Sequence, residues 1–194
     1  MTRPAAAVLA LALVTAGAAC GGPTGTEQPV QDGSGTQAEG TVRTASRDEA
    51  AVLVHERAAA VVGFLDAPVE NPTIGPAPCE DPAGGLSKDG VYFMSAKQQV
   101  VVGEGRLAEA LRRLHGYFSE QGFDTEEIRW LENGTGTLRA TDPDGFRYSL
   151  LPTDPPVAFA LFVDSPCYRA PEGEDPMDGR WRPPPEVGWS TGPG

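Results

Sequence analysis

The sequence predicts an α+β fold, in which a mainly antiparallel sheet of about five strands and two helices on one of its faces form two layers. Two segments whose apolar residues recur at three- and four-residue steps predict the helices. A later run of segments with alternating apolar residues, separated by turn signals, predicts the antiparallel strands. The 194 residues include 24 glycines and 19 prolines, concentrated near the two ends, so we expect one ordinary domain, residues 45–169, between irregular flanks.

The first helix has a clear start and stop in the sequence. Ser46 and Glu49 have the S-x-x-E spacing of a capping box, and apolar residues recur behind them as far as Leu65. This pattern predicts a helix from about 47 to 65. Prolines then end it, and the proline- and glycine-rich stretch 68–89 is predicted to be a loop.

The remaining elements follow from hydrophobic periodicity. Residues 91–102 predict one strand or two short ones, and residues 107–118 predict a second amphipathic helix, which a glycine ends. After this helix, apolar residues recur at every second position through several short predicted strands. The apolar residues that alternate along these strands are Ile128, Trp130, Leu138, Ala140, Phe146, Tyr148 and Leu150. Turn signals at 133–134 and 143–145 separate them, and the continuously apolar segment Val157–Val163 is predicted to be a central strand.

The two ends of the chain are predicted to lie outside the domain. The short apolar run Ala5–Ala16 is typical of a signal peptide, residues 1–19, and no apolar run reaches the ~18 residues of a membrane-spanning helix. Residues 20–44, rich in glycine and polar side chains, predict a flexible tether. Residues 170–194, rich in proline and glycine, predict a disordered tail.

Cys20 follows the signal peptide directly and is preceded by the small residues Ala18 and Ala19. A signal, a cysteine and a Gly/Ser/Thr-rich tether resemble the export region of bacterial lipoproteins. The order of the predicted elements resembles small secreted lipoproteins of high-GC Gram-positive (actinobacterial) type, a family of unassigned function. The resemblance implies cleavage before Cys20, acyl chains on this cysteine and an anchor on the extracytoplasmic face of the cell membrane. Residues 16–18 also have the A-x-A pattern of an ordinary signal-cleavage site, which leaves a non-acylated product as the alternative.

Cys79 and Cys167 are the other two of the three cysteines in the chain. If Cys20 is acylated, as the resemblance implies, an even pair remains in an oxidising compartment, and a Cys79–Cys167 disulfide follows. A metal site is the alternative, but neither cysteine has a CxxC partner or a nearby histidine. We therefore predict a structural disulfide and no metal.

Composition and motifs argue against several activities. A net charge of −12 argues against nucleic-acid binding. Residues 103–108 have a G-x-G-x-x-A pattern, but hairpins follow where a parallel βαβ unit should continue, so we expect a strand-to-helix turn and no cofactor. His55 and His115 both lie within the predicted amphipathic helices, so we expect neither histidine to act as a catalytic base. Asp142 and Asp144 lack the downstream glutamate of a calcium loop and are predicted to form a hairpin turn.

The function predicted by these exclusions is a non-enzymatic binding or interaction module, whose ligand is a protein, a peptide or an envelope component. Short acidic pairs such as Glu126-Glu127 leave a small cell-envelope hydrolase or transferase as the alternative. A deep pocket with two converging acids of shifted pKa would favour the enzyme. A flat sheet face with exposed aromatic side chains would favour the binding module.

Overall fold

A computed structural model describes residues 42–80, 84–87, 90–178 and 181. The predicted signal peptide 1–19, Cys20, most of the predicted tether and residues 182–194 lie outside the described residues. In chain order the elements are β1 (Arg43–Thr44), α1 (Arg47–Leu65), β2 (Val69–Pro78), β3 (Val91–Val101), α2 (Leu107–Glu120), β4 (Asp124–Thr125), β5 (Arg129–Trp130), β6 (Gly136–Thr141), β7 (Arg147–Pro152), β8 (Ala158–Asp164) and β9 (Tyr168–Arg169).

Both helices begin and end at local sequence signals. The Glu49 amide donates to the Ser46 hydroxyl over 3.3 Å, and the Ser46 amide donates to the Glu49 carboxylate over 2.9 Å, so the predicted capping box is formed at the start of α1. Gly122 follows α2 with a φ of +77°, the left-handed conformation in which glycine commonly ends a helix. The inward side chains are Ala50, Ala51, Val54, Ala58, Val61, Val62 and Leu65 of α1, and Leu107, Ala110, Leu111, Leu114 and Phe118 of α2.

The sheet has nine strands, so the prediction of about five strands was too low. Its hydrogen-bonded order is β1-β9-β3-β8-β7-β6-β4. Strands β8 and β9 both pair with one edge of β3, β2 pairs with the opposite edge, and β5 pairs with β6. The β1–β9 pair is parallel and the other pairs are antiparallel. Strands β1, β4 and β9 have two residues each, which is too short for an alternating pattern to be recognised.

Strand β2 occupies much of the segment that the sequence predicted to be a loop. Its prolines are Pro72, Pro76 and Pro78, and β3 is the strand with which it pairs. Proline is tolerated on such an edge because its missing amide can face away from the sheet. Pro72 lies at a register shift in β2, next to Asn71 with a φ of +51°. An edge strand with one irregularity therefore accommodates the prolines that suggested a loop.

The predicted disulfide between Cys79 and Cys167 is present, with its Cα atoms 6.2 Å apart. Strands β8 and β9 pair with the same edge of β3, and β2 pairs with the opposite edge. Cys79 directly follows β2, and Cys167 directly precedes β9. The disulfide therefore links the ends of two strands that lie on opposite edges of β3.

One hydrophobic core lies between the helices and one face of the sheet. Strand residues on this face alternate with residues that point away from it. The sheet contributes Tyr92, Met94, Ala96, Val100, Leu138, Ala140, Tyr148, Leu150, Leu161 and Val163 to the same buried cluster as the inward residues of α1 and α2. Because both helices share this cluster, the opposite face of the sheet is left without a described helix.

The packed body extends beyond both predicted domain boundaries. Strand β1 lies within the predicted tether and pairs with β9. Trp181 lies within the predicted tail, is 9% exposed and forms an antiparallel bridge with Ile74. The Arg47 amide donates to the Glu174 carboxylate over 2.7 Å, which holds a second part of that tail against α1. The flexibility predicted for the rest of the tether and tail stays a prediction.

Candidate functional site

The face of the sheet opposite the core is the first candidate site, and we call it the open sheet face. It is defined by Phe93, Lys97, Arg139, Arg147, Ser149, Leu151 and Phe162. These residues alternate along their strands with the buried residues of the core. Leu151 is 42% exposed, the three cationic side chains are exposed, and the two phenylalanine rings are half-buried. The open sheet face therefore combines aromatic and aliphatic surface with positive charge.

The strand register places part of the open sheet face in one row. Arg139 lies opposite Ser149, which lies opposite Phe162. Phe162 in turn lies opposite Lys97. Neighbouring strands are separated by about 4.8 Å, so the row from Arg139 to Lys97 spans about 14 Å across four strands. Side chains from four separate strands are thus presented together on a continuous platform.

Two of the three cations of the open sheet face lie over aromatic rings, and one of them, Arg147, lies opposite Asp164 in the strand register. The Lys97 ammonium lies 5.7 Å from the Phe162 ring centre, and the Arg147 guanidinium lies 5.9 Å from the Phe93 ring centre. A cation within about 6 Å of a ring centre is attracted electrostatically by the face of the ring. Within the described part of the chain, Lys97, Arg139 and Arg147 form no ion pair. Among the described residues, no ion pair therefore neutralises these three charges, and Asp164 is a cross-strand neighbour of Arg147.

A second cluster of charged residues joins α1 to the turn between β6 and β7. Asp142 is buried, and its Oδ2 atom accepts hydrogen bonds from Arg57 Nε over 3.0 Å and from the Tyr148 hydroxyl over 3.2 Å. Its Oδ1 atom accepts from the amides of Asp144 and Phe146 over 3.0 and 2.9 Å. Burial, followed by the negative charge of Asp142, raises the pKa of the Tyr148 hydroxyl above its ordinary value. Since Asp142 already accepts four hydrogen bonds, this cluster is a structural network that fixes the predicted hairpin turn.

A cavity of about 620 Å³ lies between β1 and the first half of α1, and we call it the β1–α1 cavity. Its lining consists of Arg43, Thr44, Ala45, Asp48, Glu49, Val52, Leu53, Glu56 and Tyr168. Tyr168 is 2% exposed, and its hydroxyl has no hydrogen-bond partner among the described residues. Burial raises the pKa of this hydroxyl above its ordinary value, so it stays protonated in neutral solution.

The residues that the sequence singled out do not form one site. Gly103 and Gly105 have φ angles of +95° and +73° in the connection from β3 to α2, and each strand that pairs with β3 is antiparallel to it. The glycine pattern is therefore a strand-to-helix turn outside any βαβ unit. His55 is buried, with its ring centre 6.1 Å from that of Trp181. His115 lies half-buried on α2.

Within 42–80, 84–87, 90–178 and 181, no group of three or more His, Cys, Asp or Glu side chains is placed to hold a metal ion. No helix in that part of the chain is long and apolar enough to cross a membrane. Cys20, the predicted lipidation site, lies outside it.

Sequence reasoning missed both candidate surfaces. The alternation along β6, β7 and β8 predicts which residues point away from the core, and this signal could have indicated Arg139, Arg147 and Ser149. The row itself depends on strand order, which no local spacing reveals. The β1–α1 cavity was missed because β1 has only two residues and was predicted to be tether.

Comparisons with known proteins give one similar structure and no family. No family model matches the chain, and no curated protein matches it. A crystal structure of a DUF4853 family protein from Actinomyces odontolyticus is similar to 75% of this chain and 80% of its own, with 11% sequence identity and a TM-score of 0.48. This structural neighbour is an actinobacterial protein. Similarity of this size assigns no residue a role, and the resemblance to lipoproteins stays a prediction.

Proposed function

We propose that the chain is a lipid-anchored lipoprotein of the extracytoplasmic membrane face, and that it acts as a non-enzymatic binding module. The open sheet face is the observation that carries this proposal. It presents half-buried aromatic rings and exposed cations on one side of a sheet whose other side is packed against helices. Exposed apolar surface of this kind, bordered by polar groups, is typical of a protein interaction site.

The partner that fits the open sheet face is a protein with an acidic surface. The chain has 15 basic against 27 acidic residues, so three cations on one face of the sheet stand out in it. Lys97, Arg139 and Arg147 form no ion pair within the described residues, although Asp164 lies directly opposite Arg147 in the strand register. Complementary charge increases the rate of encounter and excludes partners of the same sign. Phe93 and Phe162 supply apolar area beneath the cations, which further interaction can bury.

The lipid anchor is supported by the pairing of the cysteines. Cys79 and Cys167 are bonded to each other, so Cys20 is the one cysteine of the three without a partner in that disulfide. A cysteine that directly follows a signal peptide is the position at which lipoproteins are acylated in the resemblance drawn above. Two acyl chains contribute ~0.8 kcal/mol for each buried methylene, which anchors a protein stably without a spanning helix.

The observations on acidic groups give the hydrolase alternative no specific support. An acid catalyst in neutral solution needs a raised carboxyl pKa. The pKa of Glu49 is instead lowered, because its carboxylate accepts hydrogen bonds from the backbone amide and the hydroxyl of Ser46. Its carboxylate serves the capping box of α1 and is held in the ionised state.

Site-specific cross-linking of the full chain in its native envelope tests the proposed interface. A photoreactive p-benzoylphenylalanine in place of Ser149 should give a discrete adduct with a protein whose linked surface is acidic. The double variant Lys97→Glu/Arg147→Glu should reduce the adduct by about tenfold or more, because like charges then face each other. Raising the salt concentration from about 0.1 to 0.5 M should also reduce it.

The matched control is Arg112→Glu/Arg113→Glu. This pair makes the same charge change on the exposed side of α2, and each arginine also lies over an aromatic ring, Trp130 or Phe64. We expect the control to leave the adduct at the wild-type level. An adduct that survives reversal at Lys97 and Arg147, or that falls equally in the control, contradicts the proposed interface.

The anchor is tested separately by the intact mass of protein extracted from membranes. We expect a mature chain that begins at Cys20 and carries diacylglycerol, and we expect Cys20→Ala to abolish this species. A soluble product that begins at Ala19 would overturn the anchor and leave the interface test unaffected.

A further inference from the structure

We propose that Asn133, in the turn between β5 and β6, is a site of spontaneous deamidation to isoaspartate and aspartate. The turn, which we call the hairpin tip and define as residues 131–135, joins this asparagine to a glycine. It also holds the asparagine side chain on two hydrogen-bond donors of Thr135. The hairpin tip shares no residue with the open sheet face, so this inference does not depend on the proposed interface.

The pair Asn133-Gly134 is suited to this reaction. The main-chain nitrogen of the residue after an asparagine can attack the side-chain Cγ atom, and a glycine there has no Cβ atom to obstruct the approach. The chain has one other asparagine, Asn71, and the residue after it is Pro72. Proline has no amide proton to lose, so its nitrogen cannot form the same ring. The two asparagines therefore provide a reactive position and an unreactive one.

Thr135 places two donors on the atom that becomes negative during the attack. Its backbone amide donates to Asn133 Oδ1 over 3.0 Å, and its hydroxyl donates to the same atom over 2.6 Å. Attack on Cγ converts this carbonyl oxygen into an oxyanion, and donors that already point at such an oxygen lower the barrier. Thr135 is 8% exposed, so its hydroxyl is largely shielded from competing water. The folded hairpin tip therefore stabilises the charge that the reaction develops.

The hairpin tip can open without unfolding the sheet. The Gly134 amide donates to the Leu131 carbonyl over 3.0 Å, and this bond must open before the nitrogen loses its proton. Leu131, Glu132, Asn133 and Gly134 are all exposed, and exposed turns open at a small fraction of the free energy of global unfolding. The two hydrogen bonds from Thr135 to Asn133 do not involve Leu131, so they persist while the tip opens.

The reaction needs water as its one other reactant. Solvent hydroxide takes the amide proton of Gly134, a bond forms between this nitrogen and Asn133 Cγ, and the Cγ–Nδ2 bond breaks. The Nδ2 group takes a proton from water and leaves as ammonia. One water molecule then opens the succinimide ring: attack at Cγ yields aspartate, and attack at the main-chain carbonyl carbon of Asn133 yields isoaspartate. Because ammonia is lost to solvent, the modified form accumulates with the age of the protein.

Isoaspartate alters the hairpin more than aspartate does, because it inserts a side-chain carbon into the main chain. In the unmodified hairpin Trp130 pairs with Gly136, and the Leu131 amide donates to the Thr135 carbonyl over 2.8 Å. A longer main chain between these partners shifts the register of β5 against β6. We therefore expect the modification to release β5 from β6 while the rest of the sheet stays folded.

Incubation of the full chain in mildly alkaline buffer, followed by proteolysis and mass spectrometry, tests the inference. We expect the peptide that contains Asn133 to gain one mass unit progressively. Labelling by a protein isoaspartyl methyltransferase should identify the isoaspartate form. The peptide that contains Asn71 should stay unchanged in the same digest and serves as the internal control.

Thr135→Val tests the role of the hydroxyl donor, because valine has nearly the same shape as threonine and keeps the backbone amide. We expect this variant to deamidate about fivefold more slowly, which is the effect of losing one neutral hydrogen bond. Thr135→Ser retains a hydroxyl and should react at close to the wild-type rate. A thermal unfolding curve for each variant shows that it is folded.

The matched control is a synthetic peptide of residues 129–137, with and without the same valine substitution. An isolated hairpin of this length is marginally stable at best, so we expect valine to change the rate of the peptide by less than about twofold. The difference between chain and peptide then measures what the folded hairpin tip contributes.

Three results would overturn the inference. One is an Asn133 that stays intact in the folded chain while the synthetic peptide is converted. Another is a Thr135→Val chain that is slowed no more than the corresponding peptide. The third is a glycan on Asn133 in protein from the native envelope, because residues 133–135 also have the N-x-T pattern of a glycosylation acceptor, and a glycosylated nitrogen does not leave as ammonia.

Discussion

At the scale of single residues, Asp142 determines how the β6–β7 turn and α1 fit together. Its two carboxylate oxygens accept two backbone amides of the turn, the Arg57 guanidinium and the Tyr148 hydroxyl. The Arg57 guanidinium also lies 3.6 Å from the ring centre of Phe146. Because the Asp142 side chain is only 7% exposed, water cannot easily replace a partner that is lost.

We expect Asp142→Asn to lower the free energy of unfolding by about 2–4 kcal/mol. Asparagine retains one oxygen for the turn amides but places an NH₂ donor towards Arg57 and Tyr148, which are also donors. Urea unfolding followed by circular dichroism measures the loss. Asp144→Asn is the matched control, because Asp144 pairs with the same Arg57 but is 67% exposed, and we expect it to cost less than about 1 kcal/mol. Equal losses in the two variants would contradict the role assigned to burial.

At the scale of elements, the sequence predicts best what local signals determine. The capping box of α1 and the glycine after α2 act within one helical turn, and both helices were predicted close to their observed bounds. Strand β2 could not be predicted in this way, because its prolines are acceptable only at an edge position. That position is created by β3, whose pairing with β2 is a tertiary contact.

The candidate surfaces were beyond sequence reasoning for the same reason. Lys97, Phe162, Ser149 and Arg139 are adjacent only because β3, β8, β7 and β6 are neighbours in that order. Their spacing along the chain does not indicate this order. The disulfide was the long-range contact that could be predicted, because it followed from counting cysteines.

Trp181 shows how a residue distant in sequence stabilises an edge element. It bridges to Ile74 of β2 and joins the buried core. We expect Trp181→Ala to lower the free energy of unfolding by about 2–4 kcal/mol, because large buried side chains leave a cavity when truncated. Trp130→Ala is the control: Trp130 is 45% exposed, and we expect a cost of about 1 kcal/mol or less. Urea unfolding measures both losses. If Trp181→Ala lowers the free energy of unfolding less than Trp130→Ala does, the tail does not contribute to folding in this way.

At the scale of the whole molecule, three buried tyrosines couple the folded state to alkaline pH. Tyr92, Tyr148 and Tyr168 are each 3% exposed or less. Burial is the largest cause that raises the pKa of each hydroxyl above its ordinary value. Above the ordinary tyrosine pKa of about 10, the unfolded chain releases protons that the folded chain keeps. Stability is therefore fully present below that pH and is lost as the pH rises above it.

We expect the free energy of unfolding to fall by up to about 1.4 kcal/mol per pH unit above pH ~10 for each of these tyrosines. Urea unfolding between about pH 9 and 11 measures the slope, and Tyr148→Phe should reduce it by about one third. Repulsion within a chain of net charge −12 would also destabilise the fold at high pH. Measurements in about 1 M NaCl separate the two causes, because salt screens exposed charges but leaves the cost of ionising a buried hydroxyl. A slope that disappears in high salt would assign the effect to repulsion, whereas a slope that persists and is lower in Tyr148→Phe assigns it to the buried tyrosines.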